Sequence, residues 1–243
     1  TVREAAEFVN LYSKWRGVNR FPALLMVFEL LRDHPAAKAS GLRLPDTKAL
    51  KAFIDSGRPL GNPELEKIVA ETRDPELASL LKWSKEVNTV IAKIVKMVPP
   101  FHWALESLKR IQKESDAICV SQTPTEALVR EWEENKLLDF VHIIAGQELG
   151  TKTEHIAMAT KGRYPSDRIL MIGDAPGDQK AAKGNNALFF PINPGHEEAS
   201  WEQFHKEGYD RFLKGTFAGA YEAELIEKFN SLLPDTPPWK SAP

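Results

Sequence analysis

The chain has 243 residues, of which 42% are hydrophobic and 27% are charged, enough for one large or two modest hydrophobic cores. This composition excludes a disordered tail and a small disulfide-stapled protein. Thirty-two Lys and Arg residues against 34 Asp and Glu residues give a net charge of −2, so we expect no general binding to nucleic acid or anionic membranes.

Cys119 is the single cysteine, which excludes an intrachain disulfide and a cysteine-based zinc cluster. This cysteine usage favours a reducing compartment, and we expect a cytoplasmic protein. Apolar runs are all far shorter than a membrane span, so we expect no membrane partner.

The first part of the chain is predicted to be helical. Apolar side chains recur at helical spacing, as at Leu24, Leu25 and Phe28, and prolines and glycines divide the region into about five helices. Pro99 and Pro100 then form a rigid joint. We therefore predict an all-helical domain over residues 1–98.

Residues 99–216 show a different pattern. Four short apolar runs, at 117–120, 140–144, 169–172 and 187–190, alternate with helical stretches near 103–113, 124–136, 153–162 and 177–184. The alternation predicts an α/β fold with a Rossmann-like parallel sheet, in which ligands bind at the carboxyl ends of the strands. Residues 217–243 are predicted to form a last helix, at about 217–232, and a loosely held tail.

Polar side chains follow three of the predicted strands. Ser121 and Thr123 follow the first, where they either bind an anion or only cap the next helix. Lys152 follows the second strand, just before a helix. Asp174 and Asp178 follow the third, in the segment Gly-Asp-Ala-Pro-Gly-Asp, and supply the oxygen ligands that Mg²⁺ prefers.

A hydroxyl, a lysine and Gly-Asp-x-x-x-Asp in this order resemble the haloacid dehalogenase-like superfamily and, more loosely, its phosphoglycolate phosphatase-like members, over about residues 101–195. The resemblance implies a Mg²⁺-dependent phosphatase that acts on a small phosphorylated metabolite through an aspartyl-phosphate. It also implies that Ser121 binds the phosphoryl group, that Lys152 neutralises charge on the nucleophile and this group, and that Asp174 and Asp178 hold the metal. These roles agree with the way in which phosphoryl transfer is catalysed, mainly by positioning the reacting groups and by placing cations around the phosphoryl oxygens.

Two features depart from the family pattern. Thr153 follows Lys152 where the family often has proline, which leaves Lys161 as a second candidate for the lysine. The family's nucleophile belongs to an Asp-x-Asp pair that closes the central strand of its sheet, and no such pair occurs in the 243 residues. We therefore expect the pair in an N-terminal segment outside this sequence, with residues 1–98 as an inserted helical cap domain.

A cap of this size favours small soluble substrates over macromolecules. Arg16 and Arg20 are candidates to bind a substrate anion through forked hydrogen bonds, or else are solvated charges on a helix surface. Asn193, Gly195 and His196 follow the fourth strand near the expected site and have no assigned task. We expect a monomer or a homodimer.

Other functions remain open. Within the resemblance, these are a dehalogenase, a phosphomutase, or a catalytically inactive binding or scaffold protein. A flavodoxin-like or receiver-type domain also fits the alternation of strands and helices, but it explains neither the helical first part nor Gly-Asp-x-x-x-Asp.

Overall fold

The computed structural model describes residues 1–241, with side chains through residue 240. The helices are α1 (Val2–Leu11), α2 (Arg20–Asp33), α3 (Pro35–Ala39), α4 (Lys48–Asp55), α5 (Asn62–Thr72), α6 (Pro75–Ile94), α7 (His102–Glu114), α8 (Thr125–Glu134), α9 (Lys152–Thr160), α10 (Pro176–Gly184), α11 (Glu197–Gln203), α12 (Tyr209–Lys214), α13 (Ala220–Ser231) and α14 (Pro238–Ser241). The strands are β1 (Ile118–Val120), β2 (Ile143–Ala145), β3 (Leu170–Gly173) and β4 (Leu188–Pro191). None of the described helices is long and apolar enough to cross a membrane.

The chain divides into two compact units. The first contains residues 1–96 together with the chain from residue 234 onward, and the second contains residues 97–233. The first unit is entirely helical over its described residues, with α1–α6 in place of the five helices expected. In the second unit, α7, α8, α9 and α10 each begin within one residue of the predicted start.

The first unit is built around α2. The side chain of Asn19 accepts a hydrogen bond from the backbone N–H of Phe21 and so caps the helix. One side of α2 packs with α1 and α3, and the other with α4, α5 and α6, in two apolar clusters. The carboxylate of Glu76 in α6 accepts the backbone N–H groups of Ala49 and Leu50, which satisfies the first turn of α4.

The end of the described chain packs on this first unit. The indole ring of Trp239 lies 5.7 Å from the ring of Phe8, and Lys14 forms an ion pair with Asp235 at 2.5 Å. The prediction of a loosely held tail is therefore wrong for residues 234–240.

The predicted Rossmann-like fold, with one parallel sheet as its core, is also wrong. Helical residues, with the 3₁₀ and π turns included, make up 63% of the structure, and the described strands form two separate parallel pairs. β1 pairs with β2, with Ile118 opposite Ile143, and β3 pairs with β4, with Leu170 opposite Leu188. Each ladder has two strands, and no strand in the described part of the chain pairs with the remaining edges of β1 and β3.

The strands themselves lie in the predicted apolar runs. β1, β3 and β4 begin one residue after the predicted start, and β2 begins at Ile143 because Leu138–Phe140 forms a 3₁₀ turn. β4 is the most buried strand. Its outer edge is capped by Glu222 of α13, whose carboxylate accepts the N–H of Phe189 at 2.8 Å. Sequence pattern thus located the strands but not their assembly.

Aromatic packing on β4 forms the main core of the second unit. Phe190 is fully buried, and its ring centre lies 5.0 Å from that of Phe204 and 6.2 Å from that of Phe217. A Cβ atom added at Gly208 would lie 2.8 Å from Cε2 of Phe190, so glycine is needed for this close approach.

We expect Phe190→Ala to lower the free energy of unfolding by about 3–5 kcal/mol, since it removes a buried ring and leaves a cavity. Phe101→Ala is the matched control, because Phe101 is exposed in the same unit; its effect should stay below about 1 kcal/mol. Urea unfolding followed by circular dichroism measures both, and equal losses would contradict the assignment of Phe190 to the core.

Candidate functional site

A buried carboxylate organises the turn between β3 and α10. The side chain of Asp178 is 2% exposed, and its Oδ2 accepts the backbone N–H groups of Asp174 and Ala175, both at 3.1 Å. Its Oδ1 accepts a hydrogen bond from Nζ of Lys152, which also makes this contact an ion pair. Because a buried charge is tolerated only when it is paired and hydrogen-bonded, these three donors explain how Asp178 is accommodated.

The same ion pair joins the segments that follow two different strands. Lys152 is the first residue of α9, which follows β2, and Asp178 lies in the first turn of α10, which follows β3. A second link comes from Asn185, whose side-chain Nδ2 donates to the backbone oxygen of Thr153 at 3.0 Å. The lysine and the acidic motif, far apart in sequence, therefore meet at the carboxyl ends of the strands.

Gly173 is required by the closeness of Asp178. A Cβ atom at position 173 would lie 2.4 Å from Cβ and 2.5 Å from Cγ of Asp178. Such distances are far inside van der Waals contact, so any side chain here displaces the carboxylate. The close approach of Asp178 thus gives a steric reason for glycine at the first position of Gly-Asp-x-x-x-Asp.

Ser121 and Thr123 lie in the loop after β1. The backbone N–H of Ser121 donates to the carbonyl oxygen of Ala145 at 2.9 Å and continues the β1–β2 ladder. The hydroxyl oxygen of Ser121 accepts the N–H of Thr123 at 3.1 Å and so stabilises the turn, whereas α8 has Pro124 at its N-cap and no side-chain cap, so neither residue caps this helix. Accepting that bond leaves the hydroxyl proton available to donate, so the turn bond and anion binding are compatible.

The loop after β2 is fixed against this turn. The N–H of Gln147 donates to the carbonyl oxygen of Thr123 at 3.0 Å, and Oε2 of Glu148 accepts both the N–H and the hydroxyl of Thr125. A Cβ atom at Gly146 would lie 2.4 Å from Oγ1 of Thr125. Backbone and side-chain hydrogen bonds therefore hold the loop after β2 against the turn after β1.

The two aspartates predicted as metal ligands have different surroundings. Asp174 is exposed to solvent, whereas Asp178 is buried with both oxygens already accepting hydrogen bonds. With 2% exposure and three of its roughly four acceptor positions already used, Asp178 is poorly placed to bind a metal directly. Within residues 1–241, no three His, Cys, Asp and Glu side chains cluster in a way that could hold a metal ion.

Asn193 is one of the three residues after β4 that the sequence left without a role. It follows β4 by two residues, its side chain is 4% exposed, and its Oδ1 has no hydrogen-bond partner among the described residues. Leaving a buried polar atom unpaired costs about 1–3 kcal/mol. The sequence signal was the polar residue after a buried strand, but its unpaired oxygen is visible only in the structure.

His155, which is buried, and Cys119, which is half-buried, lie near Lys152 in sequence or in space. His155, one turn into α9, is 2% exposed, and neither ring nitrogen has a hydrogen-bond partner in the described part of the chain; burial lowers its pKa. Burial also raises the pKa of Cys119 to about 11, partly opposed by the positive charge of Lys152. Both groups are therefore neutral at pH 7.

The remaining candidates lie elsewhere. Lys161 is exposed at the end of α9 opposite to Lys152, so α9 separates the two lysines by its own length. Arg16 and Arg20 belong to the first unit: Nη1 of Arg16 donates to the carbonyl oxygen of Leu11, and Nη1 of Arg20 donates to the backbone and side chain of Ser84. Their part in substrate binding stays a prediction.

Comparison with known proteins assigns no family. No protein-family model matches the chain, and no solved structure matches it. A partial similarity exists to catalase-peroxidase 2 of Cupriavidus pinatubonensis, with 29% identity over 111 residues, which is 41% of this chain and 15% of the relative. The chain thus corresponds to a small fraction of that relative's length, and the similarity does not define a function.

We expect Gly173→Ala to lower the free energy of unfolding by about 1–3 kcal/mol, because the added methyl group overlaps Asp178. Gly177→Ala is the matched control four residues on, where no atom lies within 4 Å of the added Cβ. It should be neutral or stabilising by up to about 1 kcal/mol, since alanine favours a helix. Urea midpoints measure both, and a neutral Gly173→Ala would refute the steric account.

His155 should make the protein acid-sensitive. The pKa of His155 is lower in the folded than in the unfolded protein, so protonation favours the unfolded state. The contribution of the neutral side chain to the free energy of unfolding is therefore complete above about pH 6.5. It is lost as the pH falls towards the folded pKa, by at most about 1.4 kcal/mol per pH unit. His155→Leu should flatten the decline in urea midpoint between pH 7 and pH 5, whereas the exposed-site variant His196→Gln should not. Parallel declines in all three proteins would contradict this role.

Proposed function

We propose that this protein is a Mg²⁺-dependent phosphatase of the haloacid dehalogenase-like type, acting on a small phosphorylated metabolite in the cytoplasm. The observation that carries the proposal is the ion pair of Lys152 and Asp178. The resemblance gave these residues separate roles, and their contact brings the lysine to the Gly-Asp-x-x-x-Asp turn. A chance match of two short motifs would not require them to touch.

Lys152 is the group that would bind the phosphoryl oxygens. Its side chain is 25% exposed, and Asp178 holds its ammonium group in place. An oriented cation of this kind stabilises the charge on the equatorial oxygens during phosphoryl transfer. Asp178 acts in this proposal as a positioning residue for Lys152.

Ser121 and Thr123 would contribute hydrogen bonds to the same phosphoryl group. The turn after β1 is fixed by the bond from Thr123 to the Ser121 oxygen, which leaves the Ser121 hydroxyl proton to donate. Because the loop is already ordered, little conformational freedom is lost on binding.

Asp174 is the carboxylate that fits a Mg²⁺ ion. It is exposed at the carboxyl end of β3, and Mg²⁺ sites commonly use one or two carboxylates together with water and phosphate oxygens. A bound Mg²⁺ would supply positive charge to the phosphate. The covalent step of the proposal needs a carboxylate nucleophile, and no Asp-x-Asp pair of the family's kind occurs in the 243 residues.

Turnover of p-nitrophenyl phosphate by the polypeptide expressed from its native gene tests the proposal. We expect Mg²⁺-dependent hydrolysis that Lys152→Met and Asp174→Asn each reduce on the order of 10²–10³-fold in kcat/KM. Matched controls are Lys161→Met, at the other end of α9, and Asp167→Asn, in the turn that precedes β3. Both controls should keep wild-type kcat/KM.

Two results would overturn the phosphatase. Absence of Mg²⁺-dependent turnover between pH 5 and pH 9 would exclude it, and phosphate binding without turnover would then favour the inactive binding protein. Equal losses in Lys161→Met and Lys152→Met would show that the ion pair with Asp178 is not the phosphate-binding element.

A further inference from the structure

The second half of α6 presents apolar side chains to solvent. Ile94 is 72% exposed, Ile91 is 47% exposed, and Val90 and Val95 are each about half exposed. These residues are β-branched, which a helix does not favour, so helix propensity gives no reason for them here. Together with the half-buried Val87 they form the α6 face. Exposed apolar side chains that adjoin one another in this way mark an interaction surface.

The α6 face continues a side of the helix that already packs on other helices. Leu80 and Ser84 are buried in the first half of α6, which packs on α4 and α5. Val87, Ile91 and Ile94 follow at the same alternating spacing of three and four residues. This repeat aligns side chains along one helix for contact with another. The same side of α6 is therefore a buried helix contact in its first half and an exposed one in its second.

Polar contacts anchor α6 to the rest of the first unit as far as Asn88. The hydroxyl of Ser84 donates to Oδ1 of Asn62 at 2.6 Å, and Nη1 of Arg20 donates to Oδ1 of Asn88 at 2.6 Å. The helix then continues to Ile94. Most of the α6 face thus lies beyond these anchors, on a part of the helix that another element can pack against.

Charge beside the α6 face indicates the kind of partner. Lys93 and Lys96 are the only charged residues in segment 87–96, and both are exposed. Symmetric pairing of two copies through this face would bring a second set of lysines to the same contact, which is unfavourable. An anionic lipid surface would attract the lysines, but helices that lie in the membrane interface bury Trp, Phe or Leu. An acidic helix suits both the lysines and the helix-contact spacing.

We propose that the α6 face binds an amphipathic α-helix of a partner polypeptide, with acidic residues beside the apolar side of that helix. The apolar side would pack on Ile91 and Ile94, and the carboxylates would pair with Lys93 and Lys96. The proposal does not depend on the proposed function, because no residue of the α6 face belongs to the phosphate site.

Two synthetic peptides, added to the full chain, test the proposal. Each peptide has three heptads with leucine at the a and d positions, and the flanking e and g positions are glutamate in one peptide and lysine in the other. Fluorescence anisotropy of the labelled peptides measures binding. We expect the acidic peptide to bind at least about tenfold more tightly than the basic one.

Ile94→Asp should weaken binding of the acidic peptide by about tenfold or more, because it places a carboxylate in the apolar contact. Leu42→Asp is the matched control, since it makes the same charge change at an exposed apolar residue of the first unit outside α6. It should leave the Kd unchanged. Lys93→Glu combined with Lys96→Glu should reverse the preference between the two peptides.

A measurement on the wild-type protein covers the case in which Ile94→Asp does not fold. The acidic peptide at saturation should shift the backbone amide signals of Ile91 and Ile94 in a ¹⁵N spectrum and leave that of Leu42 in place. Unchanged signals of Ile91 and Ile94 would overturn the proposal.

Other results would also overturn it. Equal affinity for the two peptides, no binding of either, or wild-type affinity in Ile94→Asp would exclude an acidic helix as the partner. A wild-type dimer that Ile94→Asp converts to a monomer in light scattering would assign the α6 face to a second copy. Sedimentation with phosphatidylserine vesicles that Ile94→Asp abolishes would assign it to a lipid surface.

Discussion

The structure of the second unit depends on how the carboxylate of Asp178 is compensated. A charge that is 98% removed from solvent is stable only with close donors, and Asp178 has Lys152 on one oxygen and two backbone N–H groups on the other. Those donors come from two different segments. The ion pair therefore ties α9 to α10 although β1–β2 and β3–β4 share no ladder in the described chain.

This compensation also divides the work between two aspartates that look equivalent in sequence. The same turn that buries Asp178 leaves Asp174 exposed, since the backbone of Asp174 itself donates to Asp178. Environment rather than residue type thus distinguishes the two carboxylates. In the proposed phosphatase, Asp178 would position Lys152 and Asp174 would be the metal ligand.

Much of the local structure could be predicted from sequence, and the sheet could not. Apolar runs located all four strands and the helices around them because burial and periodicity are properties of a short segment. Whether two strands pair depends on partners far along the chain, which no short segment encodes. The prediction of a single Rossmann-like sheet failed for this reason: β1 and β3 each keep an edge that no described strand joins.

The same limit explains which parts of the site were found. Ser121, Lys152 and Asp174 are recognisable because each polar residue lies between an apolar run and the helix that follows it, or at the start of that helix. Asn193 also follows an apolar run, yet its unpaired side-chain oxygen is visible only in the structure. Whether a buried polar atom finds a partner depends on neighbours far along the chain, which no short segment encodes, so its free-energy cost could not be read from the sequence.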